Sequence, residues 1–239
     1  MSGGNYYLTT ALPTLGELGS DAPLSLSALF ELVAVAPRPA ALVEAVLLGD
    51  DLAQRQAVMS GEIDQAEPIV LSVAQVRDEE PLPEALAVSE TDSATARLPA
   101  DAVWSAYFHY VVAVARQFDS EFLAAWVGYE VALRNALATA RAKRLDLNAS
   151  EYLVAEALGS TDERLDTLVN EWASARDPLE ALRVLDRARW DWLVRHDKWF
   201  TFGNDELAAY AAKLVLLHRW GRLTKADAQM ADEAETTSQ

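Results

Sequence analysis

The chain has 239 residues, 51% of them hydrophobic and 24% charged, which is ordinary for a soluble globular protein and enough for one large domain or two small lobes with a real core. It contains no cysteine, which excludes disulfides, thiolate nucleophiles and every Cys-ligated metal site. Lysine and arginine number 20 against 37 aspartates and glutamates, a net charge of −17; such a field repels phosphate backbones, so nucleic acid is not an expected partner.

The charge is uneven. Residues 1–101 carry 4 basic and 16 acidic side chains, and residues 102–239 carry 16 and 21. The second half can pair its charges internally and the first cannot. The excess is either a solvated acidic surface that keeps the chain in solution or a face that meets a basic partner. No signal peptide is expected, because Met1–Leu12 has no basic start. The longest uncharged run of the second half, Ala102–Ala115, falls short of the roughly 20 residues of a membrane span.

Taken in chain order, Tyr6-Tyr7-Leu8-Thr9-Thr10 followed by Pro13 suggests a short extended segment that packs down. Ser25 or Ser27 can cap a helix to about Val35, which Pro37 and Pro39 end. A second helix is expected from about Pro39 to Ser60, with Gly49-Asp50-Asp51 as a possible interruption. Residues 1–60 form an N-terminal helical segment and 61–101 an acidic, proline-containing linker. Within that linker Ile69–Val76 fits a short helix or a strand, and Glu90–Ala100 a loop or disordered stretch. Residues 102–225 form the main helical bundle. Asp101 is the expected cap of a helix over 102–117, and Asp119 or Ser120 of a longer one to about Leu145. Further helices are expected near 150–158, with Asn148 as a cap, 161–175, with Asp162 and Glu163 in the first turn, 178–196, started by Asp177-Pro178, and 204–222. An acidic tail, 226–239, carries Asp232, Glu233 and Glu235. The class is all-α, a multi-helix bundle.

On a helical wheel over 123–145, Leu123, Trp126, Val127, Leu137 and Leu145 form a bulky stripe, and Glu130, Arg134 and Arg141 fall inside it. The opposite face, with Ala125, Gly128, Ala132, Ala136 and Thr139, is small rather than charged, so a neighbour can approach closely there. Buried charges need partners. The bland reading is an internal network with Glu130 and Arg134 paired at i, i+4 and with Arg187 or Arg183 reaching Glu130 or Glu180 across helices. Glu130, Arg134, Arg141, Glu180, Arg187 and Lys213 make up that structural polar network. The sharper reading is a pocket in which Glu130 and Arg134 do acid/base or ligand-binding work, although no second carboxylate or histidine shares the face. Seven tryptophans, six of them from Trp126 onward, fit core or contact anchors.

No sequence signal for catalysis stands out. His109, His196 and His218 lie on separate elements without metal-ligand spacing, so no catalytic, cofactor or metal residue is assigned and no cofactor is expected. There is no glycine-rich phosphate loop and no nucleophile elbow.

Three segments carry a resemblance. They are Tyr6-Tyr7-Leu8-Thr9-Thr10-Ala11-Leu12-Pro13; Trp126 to Leu137 with its Glu-Val-Ala-Leu-Arg-Asn run, continuing to Arg141-Ala142; and Asp177-Pro178-Leu179-Glu180 with Arg189-Trp190, Tyr210-Ala211-Ala212-Lys213-Leu214 and Arg219. Together they resemble an uncharacterised bacterial family associated with V-type (A/V-type) ATPase gene clusters, itself similar to the C subunit, also called d, of those rotary ATPases. The resemblance implies an all-helical, non-catalytic subunit on the cytoplasmic mouth of the membrane rotor ring. It would receive the central stalk there and couple the two during proton or sodium transport. The implied partners are rotor-ring and central-stalk subunits, and the implied location is cytoplasmic, peripheral to the inner face of the membrane. The alternatives are a small helical enzyme or ligand binder using Glu130 and Arg134, and an acidic adaptor with an arm at 78–101.

Overall fold

The computed structural model describes residues 5–88, 97–161, 164–197 and 201–237, with side chains as far as Thr224. Among these residues the regular structure is all helical, without a strand. Nine α-helices run in order: α1 (Tyr6–Ala11), α2 (Leu26–Val33), α3 (Pro37–Met59), α4 (Val73–Val76), α5 (Pro99–Gln117), α6 (Glu121–Arg144), α7 (Asp166–Ala173), α8 (Pro178–His196) and α9 (Asn204–Thr237). Single 3-10 turns lie at Glu84–Leu86, Ala149–Tyr152 and Glu156–Leu158.

The most extensive helix contact joins α3 to α9, so the first and last long helices share one core. Leu42, Leu47, Leu123, Leu133, Trp192, Leu207, Leu214 and Leu217 are essentially inaccessible at its centre. Helix α6 packs against α5 and α9, and α8 packs on α7 and α9. No described helix is long and apolar enough to cross a membrane.

Several starts follow local chemistry that the sequence shows. Ser25 accepts a bond from the Ala28 N–H, Ser120 from Leu123 and Asp177 from Glu180, each filling an orphan donor of a first turn. Asn148 caps the 3-10 turn at Ser150.

Other expectations are corrected. Residues 6–11 are helical rather than extended, because the Thr9 and Thr10 hydroxyls bond back to carbonyls of Asn5, Tyr6 and Tyr7. Helix α3 begins at Pro37, since both prolines fit a first turn whose N–H groups have no partner. It runs unbroken through Gly49-Asp50-Asp51. A Cβ on Gly49 would collide with the Tyr107 hydroxyl, which donates to the Ala45 carbonyl at 3.0 Å; glycine is what lets α5 sit this close. Helix α5 begins at Pro99, so Asp101 lies inside its first turn instead of capping it. The stretch expected as a helix over 150–158 is two 3-10 turns, divided by Ala155 in the left-handed region (φ 45°). Helix α7 starts only at Asp166, and α9 continues beyond residue 222. Residues 89–96, which hold most of the loop expected over Glu90–Ala100, lie outside what the structure describes. So do Asp162, Glu163 and Trp199, and the tail side chains Asp232, Glu233 and Glu235.

The small face of α6 is covered closely. The Ser160 N–H donates to the Gly128 carbonyl at 2.9 Å, and a Cβ on Gly128 would touch Ser160 and the Leu158 carbonyl at 3.5 Å. Further along the helix, the Asn135 side-chain amide donates to the Val154 carbonyl and accepts the Val154 N–H, both at 2.9 Å.

Candidate functional site

The buried charges gather where α6, α8 and α9 meet. Glu130 accepts two bonds from one guanidinium, that of Arg189 on α8: Oε1 from Nε at 2.7 Å and Oε2 from Nη2 at 3.1 Å. Asp186, one helical turn earlier on α8 and 1% exposed, takes Arg219 of α9 in a fork, with Nη2 at 2.8 Å and Nε at 3.1 Å. Arg189 Nη1 approaches the same Asp186 oxygen at 3.4 Å. Two carboxylates thus face two guanidiniums across three helices, in the bidentate geometry that makes such bonds directional. Burial alone would lower the Arg189 guanidinium, but the Glu130 and Asp186 charges hold it above its ordinary value.

The expected i, i+4 pair of Glu130 with Arg134 is corrected. Arg134 turns to Asp101 of α5 at 3.1 Å and lies over the Trp104 ring at 4.8 Å. Burial lowers its pKa and Asp101 opposes that shift. A partner across helices wins over the local one because it offers an aligned acceptor in a desolvated position. Arg141 is exposed and lies over the Trp172 ring at 5.1 Å. Glu180 pairs at the surface with Arg176, and Arg187 is exposed, so neither reaches the Glu130 cluster. Lys213 binds Asp197 at 2.5 Å, away from it, with both side chains nearly inaccessible. Of the predicted network, Glu130 alone belongs to the central cluster. Its partners Arg189, Asp186 and Arg219 are absent from that set, because α8 carries many other charges and nothing in its pattern singles out Asp186 and Arg189 as the buried ones.

Rings pack beside the charges. Trp192 of α8 stacks on Tyr129 of α6, centroids 5.1 Å apart, and on His196 at 3.8 Å, with Trp126 at 5.3 Å. Tyr107 lies on α5. Burial, then the Glu130 charge, keeps its phenol protonated well beyond the usual range. The histidines each sit against a backbone carbonyl: His109 on Ser105, His196 on Trp192 and His218 on Leu24, all at 2.8 Å.

A second polar group ties residues 61–88 to α3. The Asp51 carboxylate, wholly buried, accepts the N–H groups of Ile69, Val70 and Leu71 at 2.6–3.1 Å. Burial raises its pKa, with those three bonds pulling against the rise. Gln54 accepts the Glu67 N–H at 2.8 Å, and Arg55 grips the Gln75 carbonyl and Asp78. Asp50 meets Arg222 of α9 at 3.3 Å. The run Asp50-Asp51-Gln54-Arg55 on an apolar helix is the sequence signal for this clamp.

Chemically, Glu130, Asp186 and Asp51 have their oxygens committed to fixed donors, an arrangement suited to holding shape. Among the described residues, no three His, Asp or Glu side chains are grouped to hold a metal ion.

A family model described as "Protein of unknown function (DUF2764)" matches residues 82–231. The chain belongs to this family. The matched span contains the whole Glu130–Arg189–Asp186–Arg219 cluster, whereas the Asp51 clamp lies outside it. Neither a curated protein nor a solved structure matches the chain.

Proposed function

We propose that this protein is a non-catalytic subunit of a V- or A-type rotary ATPase that couples the central stalk to the membrane rotor ring. Its partners are then the ring and stalk subunits. It sits on the cytoplasmic side, peripheral to the membrane, while the motor moves protons or sodium ions. The observation that carries this reading is the forked ion-pair cluster joining α6, α8 and α9. A part that transmits torque needs helices that do not slide past one another, and directional buried pairs between helices oppose sliding. The three-segment resemblance to the ATPase-associated family supplies the identity of the machine.

The test is gentle affinity purification of the tagged full-length chain from its native cells, followed by mass spectrometry. Rotor-ring and stalk subunits should be enriched in the eluate. Recovery of the chain alone, under conditions that leave the ATPase intact, would count against the proposal.

A further inference from the structure

We infer that the C-terminal tip of α6 is a docking site for a lipid bilayer that carries anionic headgroups. The last turn of α6 and the residues after it read Arg141-Ala142-Lys143-Arg144-Leu145-Asp146-Leu147-Asn148. Residues 143–148 are exposed without a break, as at a projecting corner. Leu145 is 67% exposed and Leu147 47%.

The corner is fixed by its own backbone. The Leu145 N–H donates to the Arg141 carbonyl at 3.1 Å and the Leu147 N–H to that of Ala142 at 2.9 Å. Asp146 stands between them in the left-handed region (φ 54°). Such bonds close a helix end, so both leucines are presented on a set frame. Arg141 precedes Arg144 by three residues and Leu145 by four, which puts all three on one face. The Arg141 guanidinium also covers the half-buried Trp172 ring of α7 at 5.1 Å. Indole, leucine and two guanidiniums therefore form one continuous patch.

Cations in a last turn complement the helix dipole, and that accounts for Lys143 and Arg144. It does not account for Leu145 beside them. Among the described residues neither Lys143 nor Arg144 forms an ion pair. Exposed leucine among free cations suits a phase with an apolar interior and a negative face. A bilayer admits leucine and indole between its headgroups and draws lysine and arginine to its phosphates. A folded acidic partner would instead need a cleft shaped to the projecting corner. Salt confines each exposed charge to about 8 Å, so the tip decides attachment, not the net −17 of the chain. There Arg141, Lys143 and Arg144 stand against Asp146 in the turn and Glu171 next to Trp172. Glu151 is already paired with Arg97 at 3.9 Å. The excess is positive. This inference needs only the tip and is independent of the coupling role.

The test is co-sedimentation of the full-length protein with vesicles of phosphatidylcholine alone, or of equal parts phosphatidylcholine and phosphatidylglycerol, at about 0.1 M salt. No ATPase subunit is present, so a failure here leaves the coupling role standing. The mixed vesicles should bind about fivefold more strongly, the worth of one net positive charge at such a surface. Leu145→Ser combined with Leu147→Ser should weaken that binding about tenfold. Lys143→Glu combined with Arg144→Glu should reverse the preference for the mixed vesicles. Arg38→Glu, at an exposed cation in the first turn of α3, should leave it unchanged. All five side chains are exposed, so the variants keep the fold. No binding to either vesicle, no preference for the mixed one, leucine variants that bind like the wild type, or an equal loss in Arg38→Glu would overturn the inference.

Discussion

Two buried polar groups, one in each half of the molecule, satisfy their carboxylates by opposite means. In the first half Asp51 is met by three consecutive backbone N–H groups and no cation. In the second, Glu130 and Asp186 are met by guanidiniums from other helices. The first arrangement binds a segment without regular structure to a helix and stays local. The second joins three helices and is global.

Removing Asp186 should have the largest effect. Asp186→Ala leaves Arg219 without its partner and Arg189 without one of two, and should destabilise the fold by about 4 kcal/mol in urea unfolding. Asp51→Ala removes the acceptor of three N–H groups and should cost about 3 kcal/mol. It should also speed hydrogen exchange at Ile69, Val70 and Leu71 far more than in α6 or α8. Equal acceleration everywhere would erase the distinction between a local and a global device.

Gly49→Ala tests the close approach of α5 to α3 and should cost about 2 kcal/mol through the clash with Tyr107. The smallest effect concerns pH. Burial pushes the Tyr210 phenol up to about 12, above the ordinary value near 10. The unfolded chain therefore loses this proton first. The contribution is complete below pH 10 and lost as the pH climbs towards about 12. Tyr210→Phe should show a shallower alkaline loss of stability than the wild type when urea midpoints are compared across that window.

The all-helical class, the starts of α2, α6 and α8 and the small face of α6 were legible because caps, prolines and periodicity are local signals. Pairing was less so. A wheel places Glu130 and Arg134 on one stripe, but it cannot show that Arg189 and Asp101 stand opposite them on other helices. The reversal at α1 has a similar origin: Thr9 and Thr10 favour strands in general, yet here their hydroxyls close a helical turn onto their own backbone. Asp51 looked like a helix interruption because its partners come from residues 69–71, where periodicity is silent.

The account rests on the idea that the buried charges hold helices in register, and urea unfolding of the full-length Glu130→Gln variant tests it most directly. Glutamine keeps the size of the side chain and removes the charge that Arg189 faces. The account predicts a loss of about 3 kcal/mol in stability. A variant as stable as the wild type would contradict it and turn attention to chemistry at Glu130.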